Sequence, residues 1–268
     1  MLSDKRLPQG LKNTLGVNEQ ADLRTINQSL INETYCLSCD NERFLIKRFL
    51  ADQSTGLSRR LLFYIQRKLA HYNIAPKPLY LCQQNSVYAE QWVTPSVQLL
   101  NTLDSDQQMF HLASALATIH RLPLSTARMD LPAQWNGYAR AANLSESDWR
   151  WDHAKELVFM AAASINSQQD LVFCHNDLAI SHVLNYQQPM IIDWEYCRTG
   201  NRYFDIASTI AVNQLGVEQR KQLIAQYAEQ FGFTQASVQE GVHRHEPLVT
   251  LTYQLWYAAI TEHIKKTR

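Results

Sequence analysis

Glycine is scarce, with 8 in 268 residues, about 3% against an average of about 7%. The glycines stand at 10, 16, 56, 137, 200, 216, 232 and 241, so no two lie within five positions of each other. That spacing excludes the G-x-G-x-x-G dinucleotide turn, the G-x-x-x-x-G-K-[ST] phosphate loop and the G-x-S-x-G nucleophile elbow. Net charge is lacking too. Lys and Arg (25) balance Asp and Glu (25), which argues against a nucleic-acid or anionic-membrane partner. The longest strongly apolar stretch, Leu157 to Ile165, contains Ser164 and falls far short of a membrane span. The opening MLSDKRLPQG has no apolar core of a signal segment, so a cytoplasmic location without a membrane partner is expected. The five cysteines at 36, 39, 82, 174 and 197 are an odd number and make no disulfide framework. Cys36 and Cys39 form C-x-x-C, but on a strand they face opposite sides and no second ligand pair follows. A structural role is therefore preferred for them.

What is present is 46% hydrophobic residues in a length that suits one large domain or two lobes. Residues 1–20 look irregular and polar. Glu33–Ser38 and Arg43–Phe49 alternate as strands around an Asp40-Asn41 turn. Leu57, Leu61, Leu62, Ile65 and Leu69 recur at helical spacing until Asn73-Ile74-Ala75-Pro76. Leu79–Cys82 and Ser86–Val93 complete a small sheet. Beyond Thr94-Pro95 the texture turns helical. Ser105-Asp106 reads as the cap of a helix bearing Met109, Leu112, Leu116 and Ile119, and amphipathic stretches cover about 151–165, 203–213, 217–231 and 246–264.

One β segment interrupts those helices: Leu171–Cys174, Val183–Tyr186 and Met190–Trp194. Its apolar runs end abruptly in His175-Asn176-Asp177 and in Asp193, which delivers ionisable groups to the ends of buried strands. With Gln187-Gln188 as the hairpin loop, His182 falls opposite Asp193, within one residue of register. Asp177 sits on the loop that enters this hairpin. Two carboxylates and an imidazole at one loop can serve general-base and metal roles.

His175-Asn176-Asp177-Leu178 with Val183-Leu184, then Ile192-Asp193-Trp194-Glu195-Tyr196 and Tyr203-Phe204-Asp205-Ile206-Ala207, resembles the choline/ethanolamine kinase and thiamine kinase group of the aminoglycoside phosphotransferase superfamily. LATIHRLP, from Leu116 to Pro123, looks like that superfamily's helix ending in His, and Asn73–Pro76 resembles the boundary after its first helix. The resemblance implies an α+β, two-lobed protein-kinase-like fold: a small β-rich N-terminal lobe over 1–93 and a larger, mostly helical lobe over 94–268. It implies an ATP-dependent kinase of a small alcohol using Mg²⁺, with Mn²⁺ tolerance suggested by His182 at the second metal position. Asp177 would accept the hydroxyl proton, His175 would support the loop and Asp193 would hold the metal, with His182 at a second metal position. Asp205 would brace the catalytic loop. Leu30–Tyr35 resembles the family's nucleotide loop and brings in Asn32. Lys47 would meet the phosphates, while Arg48 points to the other face, and Glu90–Val93, including Trp92, would form the adenine hinge. Tyr253 and Trp256, at i and i+3 on the last helix, would cage a cationic amine with Trp194 and Glu195.

Three positions depart from the family pattern. His182 stands where an Asn is expected, although Mg²⁺ prefers oxygen. The helix over 57–72 has no acidic residue to pair with Lys47. The loop from Gln28 to Tyr35 has no glycine to let its backbone approach phosphates closely. An active kinase of a choline, ethanolamine or thiamine class alcohol is preferred because both carboxylates are in place. The alternatives are a degenerate ligand- or partner-binding relative and an aminoglycoside phosphotransferase. The last is disfavoured because Glu240, Glu246 and Glu262 are outnumbered by Lys, Arg and His over 240–268. The oligomeric state is left open.

Overall fold

The computed structural model describes residues 7–29, 31–84, 86–94, 103–185 and 188–267. The chain divides into two compact units, Met1–Thr94 with Ile260–Arg268, and Pro95–Ala259.

The first unit is built on an antiparallel sheet in the order β1-β2-β3-β5-β4, where β1 is Asp22–Gln28, β2 Asn32–Cys39, β3 Glu42–Phe49, β4 Pro78–Cys82 and β5 Val87–Gln91. β2 and β3 close through Asp40-Asn41. Cys39 lies opposite Glu42, and Asp40 takes φ 52°, the left-handed backbone that a two-residue hairpin loop requires. Alternation sends Tyr35, Leu37, Phe44, Ile46, Val87 and Ala89 to one face, where Leu7, Leu11 and Leu15 cover them. Leu11 and Leu15 belong to α1 (Gln9–Leu15), which ends at a left-handed Gly16. This corrects the expectation of an irregular polar start: three leucines spaced by four make a short apolar stripe. The other face takes α3 (Arg59–His71), reached through the single turn α2 (Asp52–Thr55), with Phe63 edge-on to Tyr88 at 6.2 Å between ring centroids. β1 was not foreseen because it is an exposed strand at the sheet edge with only Leu23 partly covered. Cys36 and Cys39 do face opposite sides, and all five cysteines are free thiols.

The second unit holds α4 (Ser105–His120), α5 (Leu131–Ala141), α6 (Trp149–Ser164), α7 (Arg202–Val212), α8 (Val217–Phe231) and most of α9 (Gln235–Thr267). Asp104, not Ser105-Asp106, caps α4: its carboxylate accepts the Gln107 N–H at 2.8 Å, and the Gln107 side chain accepts the Asp104 N–H at 3.1 Å. α9 begins eleven residues earlier than the stretch expected from 246, because Pro247 lies inside the helix rather than in its first turn. Two short ladders interrupt the helices. β6 (Leu171–Cys174) pairs with β9 (Arg198–Asn201), and β7 (Val183–Asn185) pairs with β8 (Met190–Ile191). Met109, Leu112, Leu116 and Ile119 of α4 are buried in a core shared with Leu223, Ile224 and Tyr227 of α8. Among the described residues no helix is long and apolar enough to cross a membrane.

One helical glycine is set by packing. A Cβ on Gly241 of α9 would lie 2.6 Å from the ring of Tyr203 on α7. Gly241→Ala is expected to destabilise the protein by about 1–3 kcal/mol despite its better helix propensity. Urea unfolding would read this as a lower midpoint at unchanged slope.

Candidate active site

β6 is apolar up to Cys174 and then delivers His175, Asn176 and Asp177. His175 is fully buried; its ring lies 4.7 Å from that of Trp194 and 5.9 Å from that of His182. Nε2 donates to the Ile192 carbonyl at 3.1 Å. Burial first, and then the neighbouring His182, lower its pKa to about 4, so it stands as a neutral prop under the loop. Asn176 holds the left-handed conformation at φ 65°, which Asn tolerates better than most residues. Its Nδ2 donates to the Tyr196 carbonyl at 2.9 Å, and its own carbonyl accepts from Ser208 Oγ at 2.6 Å.

Asp205 of α7 ties this loop from beneath. Its two oxygens accept the backbone N–H groups of His175 at 2.8 Å and Asn176 at 2.7 Å, and Nε2 of His120 approaches at 3.0 Å. Burial alone would push this carboxyl up, but hydrogen bonds from His120 and the His175 backbone outweigh it and hold it below its ordinary value. Burial pushes His120 down, so its neutral ring donates through Nε2 and accepts at Nδ1 from Tyr227 Oη, 2.7 Å away. Arg202 donates in turn to Tyr227 Oη at 3.3 Å. The His of LATIHRLP, at the end of α4, is thus a link between α8 and the loop.

Asp177 is half-buried, and Tyr253 Oη of α9 donates to its Oδ1 at 3.3 Å. Burial raises its pKa to about 6; Asp193 and Glu195 add to the rise, while His182 and the Tyr253 hydrogen bond oppose it. Tyr253 Oη also lies 3.0 Å from Ser208 Oγ. Asp193 follows β8 at φ 68° and is, like Asn176, a non-glycine residue in the left-handed region, where the strain of order 1 kcal/mol is one that functional sites tend to hold. His182 and Asp193 are neighbours: Nε2 lies 3.6 Å from Oδ2, and the Ile192 N–H donates to the His182 carbonyl at 3.0 Å. The register differs from the expected one at Val183, which pairs with Ile191, because it slips before Asn185–Met190. Gln187 lies outside the described residues. Nδ1 of His182 is 3.1 Å from the Asp177 carbonyl, so the ring also closes the loop on itself. The Asp193 carboxylate suits a hard divalent cation, whereas an imidazole suits Mn²⁺ or a softer ion better than Mg²⁺.

The expected aromatic cage is only partly assembled. Trp194 is 3% exposed, packs with tilted rings against His175 and Phe173, and donates through Nε1 to the Ile191 carbonyl at 2.8 Å. It is a core residue beneath the loop, because the helical turn at Trp194–Tyr196 directs it inward. Trp256 donates through Nε1 to Tyr196 Oη at 2.8 Å, and Tyr253 lies one turn away. Burial raises Tyr196 and Tyr253, and it brings Tyr138 of α5 to about 12, with the Asp177 charge acting on all three. Tyr138, Tyr196, Tyr253 and Trp256 therefore gather near Asp177 and the buried Glu195. Tyr138 could not be read from sequence, since Pro132 and Gly137 disguise its helix.

Four expected residues belong to the first unit. Asn32 is buried at the start of β2, where its N–H, 3.0 Å from Ser29 Oγ, is held inside the loop with that of Ile31 at 3.3 Å. Leu30 lies outside the described residues. Lys47 is half-buried on β3. Arg48 does face the opposite side, where it pairs with Glu33 at 3.3 Å. In the Glu90–Val93 segment, the Gln91 N–H donates to the Lys77 carbonyl at 2.9 Å and the Trp92 N–H to the Arg43 carbonyl at 3.3 Å. The Arg43 guanidinium covers the Trp92 ring at 5.3 Å. The Glu90 side chain is buried under α3.

Comparison with known proteins bears on the family and the fold. The sequence pattern of the phosphotransferase enzyme family matches residues 22–240. No curated protein sequence matches the chain. Among solved structures, choline kinase from Streptococcus pneumoniae superposes with a TM-score of 0.73 at 15% identity, covering 95% of this chain and 89% of its own. Ethanolamine kinase from Plasmodium vivax gives 0.69 at 16%, covering 96% and 84%. An aminoglycoside phosphotransferase in ternary complex with streptomycin and ATP gives 0.60 at 10%, covering 99% and 97%. At such identities the likeness is one of fold, here the protein-kinase-like fold. With the family pattern spanning most of its length, the chain belongs to the phosphotransferase enzyme family.

Proposed function

We propose that this phosphotransferase moves the γ-phosphoryl group of ATP to the hydroxyl of a small cationic amino alcohol of the choline, ethanolamine or thiamine class. The observation that carries this is the Asp177 carboxylate, raised to about 6, hydrogen-bonded to Tyr253 and set among aromatic rings beside Glu195. The alcohol oxygen forms its bond to the γ-phosphorus as the bond to the β,γ-bridging oxygen breaks. ADP leaves, and the hydroxyl proton passes to Asp177. Asp193 is the residue assigned to a divalent cation, with His182 beside it favouring Mn²⁺ tolerance. The cation would neutralise charge on the nucleotide phosphates. Residues 1–93 are assigned to nucleotide binding, with Lys47 on the phosphates and Asn32 and the Glu90–Val93 segment with Trp92 as further contacts. Residues 94–268 are assigned to catalysis and alcohol binding.

Tyr253, Trp256, Tyr196 and Tyr138 suit a cationic nitrogen, since ring faces attract cations and Glu195 adds a carboxylate. Trp256→Ala is expected to weaken choline or thiamine binding about tenfold, by calorimetry, and to leave ATP affinity unchanged. Equal affinities would remove Trp256 from the site. A non-catalytic binding protein is the second candidate, favoured by the N–H groups of Ile31 and Asn32 that Ser29 occupies. ATP turnover with choline, ethanolamine, thiamine and an aminoglycoside, each in Mg²⁺ and in Mn²⁺, separates the two. Stimulation by a cationic amino alcohol supports the kinase, and none with any alcohol in either metal overturns it.

A further inference from the structure

The sheet of the first unit holds a carboxylate whose side chain the hinge assignment does not use. Glu90 of β5 is 4% exposed, and its Oε2 accepts hydrogen bonds from Tyr88 Oη at 2.7 Å and from Nε2 of Gln66 on α3. The same Gln66 nitrogen donates to the Pro76 carbonyl at 3.1 Å, which fixes the amide over the carboxylate. These two donors are neutral. A carboxylate this deep is sustained when a cation shares its surroundings.

Strand register places one cation beside it. β3 and β5 pair antiparallel, with Leu45 opposite Glu90 and Lys47 opposite Tyr88. Residues two apart share a face, so Arg43, Leu45, Lys47 and Phe49 lie on the side of Tyr88 and Glu90, under α3. Lys47 and Glu90 are diagonal neighbours on adjacent strands, within reach of a long side chain. Other cations near this face have partners of their own or are exposed. Arg43 lies over Trp92 and donates to Thr94 at 3.2 Å. Arg59 packs 3.5 Å from the centroid of Phe49 and pairs with Asp52 at 2.7 Å. Arg60, Arg67 and Lys68 of α3 are exposed, as is Arg24 of β1.

We propose that Glu90 is the anion that positions Lys47, supplying from a strand what the acid-free helix α3 does not. This rests on the assignment of Lys47 to the nucleotide phosphates. The consequence is mechanical. Where a helix supplies the acid, helix placement controls the ion pair. Here both charges belong to adjacent strands of one sheet, and α3 contributes only the amide of Gln66. The pair is therefore built into the sheet, and a displacement of α3 leaves it intact. Glu90 is a positioning residue that acts through Lys47.

The test is a double-mutant cycle on the full chain with Lys47→Met, Glu90→Gln and the double variant, each read by thermal unfolding and by calorimetry with ATP. Lys47→Met strands a buried carboxylate and is expected to lower Tm by about 5 °C or more, and adding Glu90→Gln restores much of that loss. Glu90→Gln alone is expected to weaken ATP binding about tenfold and to leave the KM for the alcohol unchanged; in the Lys47→Met background it has no further effect on ATP. Additive losses of Tm, or full ATP affinity in a folded Glu90→Gln protein, would overturn the proposal. If the wild type binds no ATP, the nucleotide assignment fails by itself, and the thermal cycle still decides whether the pair exists.

Discussion

Asp177→Asn is expected to lower kcat by about a thousandfold or more while leaving the KM for ATP and for the alcohol within a few-fold of wild type. The substitution keeps the shape and the Tyr253 contact but removes the group proposed to take the proton. Stability should move the other way. Burial raises the folded-state pKa of Asp177 to about 6, above its ordinary value, so above that pH the ionised form weighs against the folded state. At neutral pH the Asn variant should therefore unfold at the same temperature as wild type or higher. The same shift sets a pH profile. Asp177 is a competent base only when ionised, so wild-type kcat/KM should rise with pH through about 6 and then level off. A variant with wild-type kcat would remove Asp177 from the chemistry, and a variant that fails to fold would point to a structural role instead.

Asp205→Asn has the second large effect, and it is one of stability. The carboxylate is fully buried and satisfies two backbone N–H groups of the His175–Asp177 loop together with His120. An amide can accept only through one atom, and its NH₂ group would face a donor. A loss of about 3–5 kcal/mol is expected, measured by urea unfolding at pH 7. Because the folded pKa of Asp205 is depressed, its contribution is complete above the ordinary carboxylate value and is lost as the pH falls through the folded one. The gap between wild type and variant should therefore narrow in acid. A gap that stays constant from pH 7 down to the acid limit of folding would contradict an ionised Asp205. Activity in Asp205→Asn should fall as well, since Asn176 holds its left-handed conformation partly through this brace.

Much of this architecture can be read in the sequence because its signals are local. Alternation in Glu33–Ser38 and Arg43–Phe49 is strong because each strand has one face on a core, and His175–Asp177 and Asp193 stand out because polar residues end apolar runs. The register count brought His182 to Asp193 for the same reason, that a hairpin is short-range. What escaped the sequence depends on packing between distant segments. α1 is only seven residues long, and its stripe has meaning only against the sheet it covers. α5 carries Pro132 in its first turn, where a missing N–H costs nothing, and Gly137 on an open face with no atom near its Cβ position. β9 is polar and contains Gly200, yet it completes a ladder with β6. Trp194 sits beside Asp193 in the chain, but a single helical turn sends it into the core against His175 and Phe173. The family resemblance puts Glu90 in a hinge; its inward direction follows from the β3–β5 register, which no local pattern encodes.

The scarcity of glycine acquires a physical meaning in the loop between β1 and β2. Ser29 Oγ holds the N–H groups of Ile31 and Asn32, a local solution to a tight connection that glycine would otherwise provide. If nucleotide phosphates bind at that loop, this hydroxyl must give up those donors.

The central claim is phosphoryl transfer to an alcohol with Asp177 as base, and phosphorus NMR of the reaction mixture tests it most directly. Wild-type protein would be incubated with ATP, a divalent cation and each of choline, ethanolamine and thiamine, in parallel with Asp177→Asn. The expected result is a phosphate monoester resonance that grows in step with ADP for at least one alcohol with wild type and is absent with the variant. No monoester with any of the three alcohols, or equal yields from both proteins, would contradict the account.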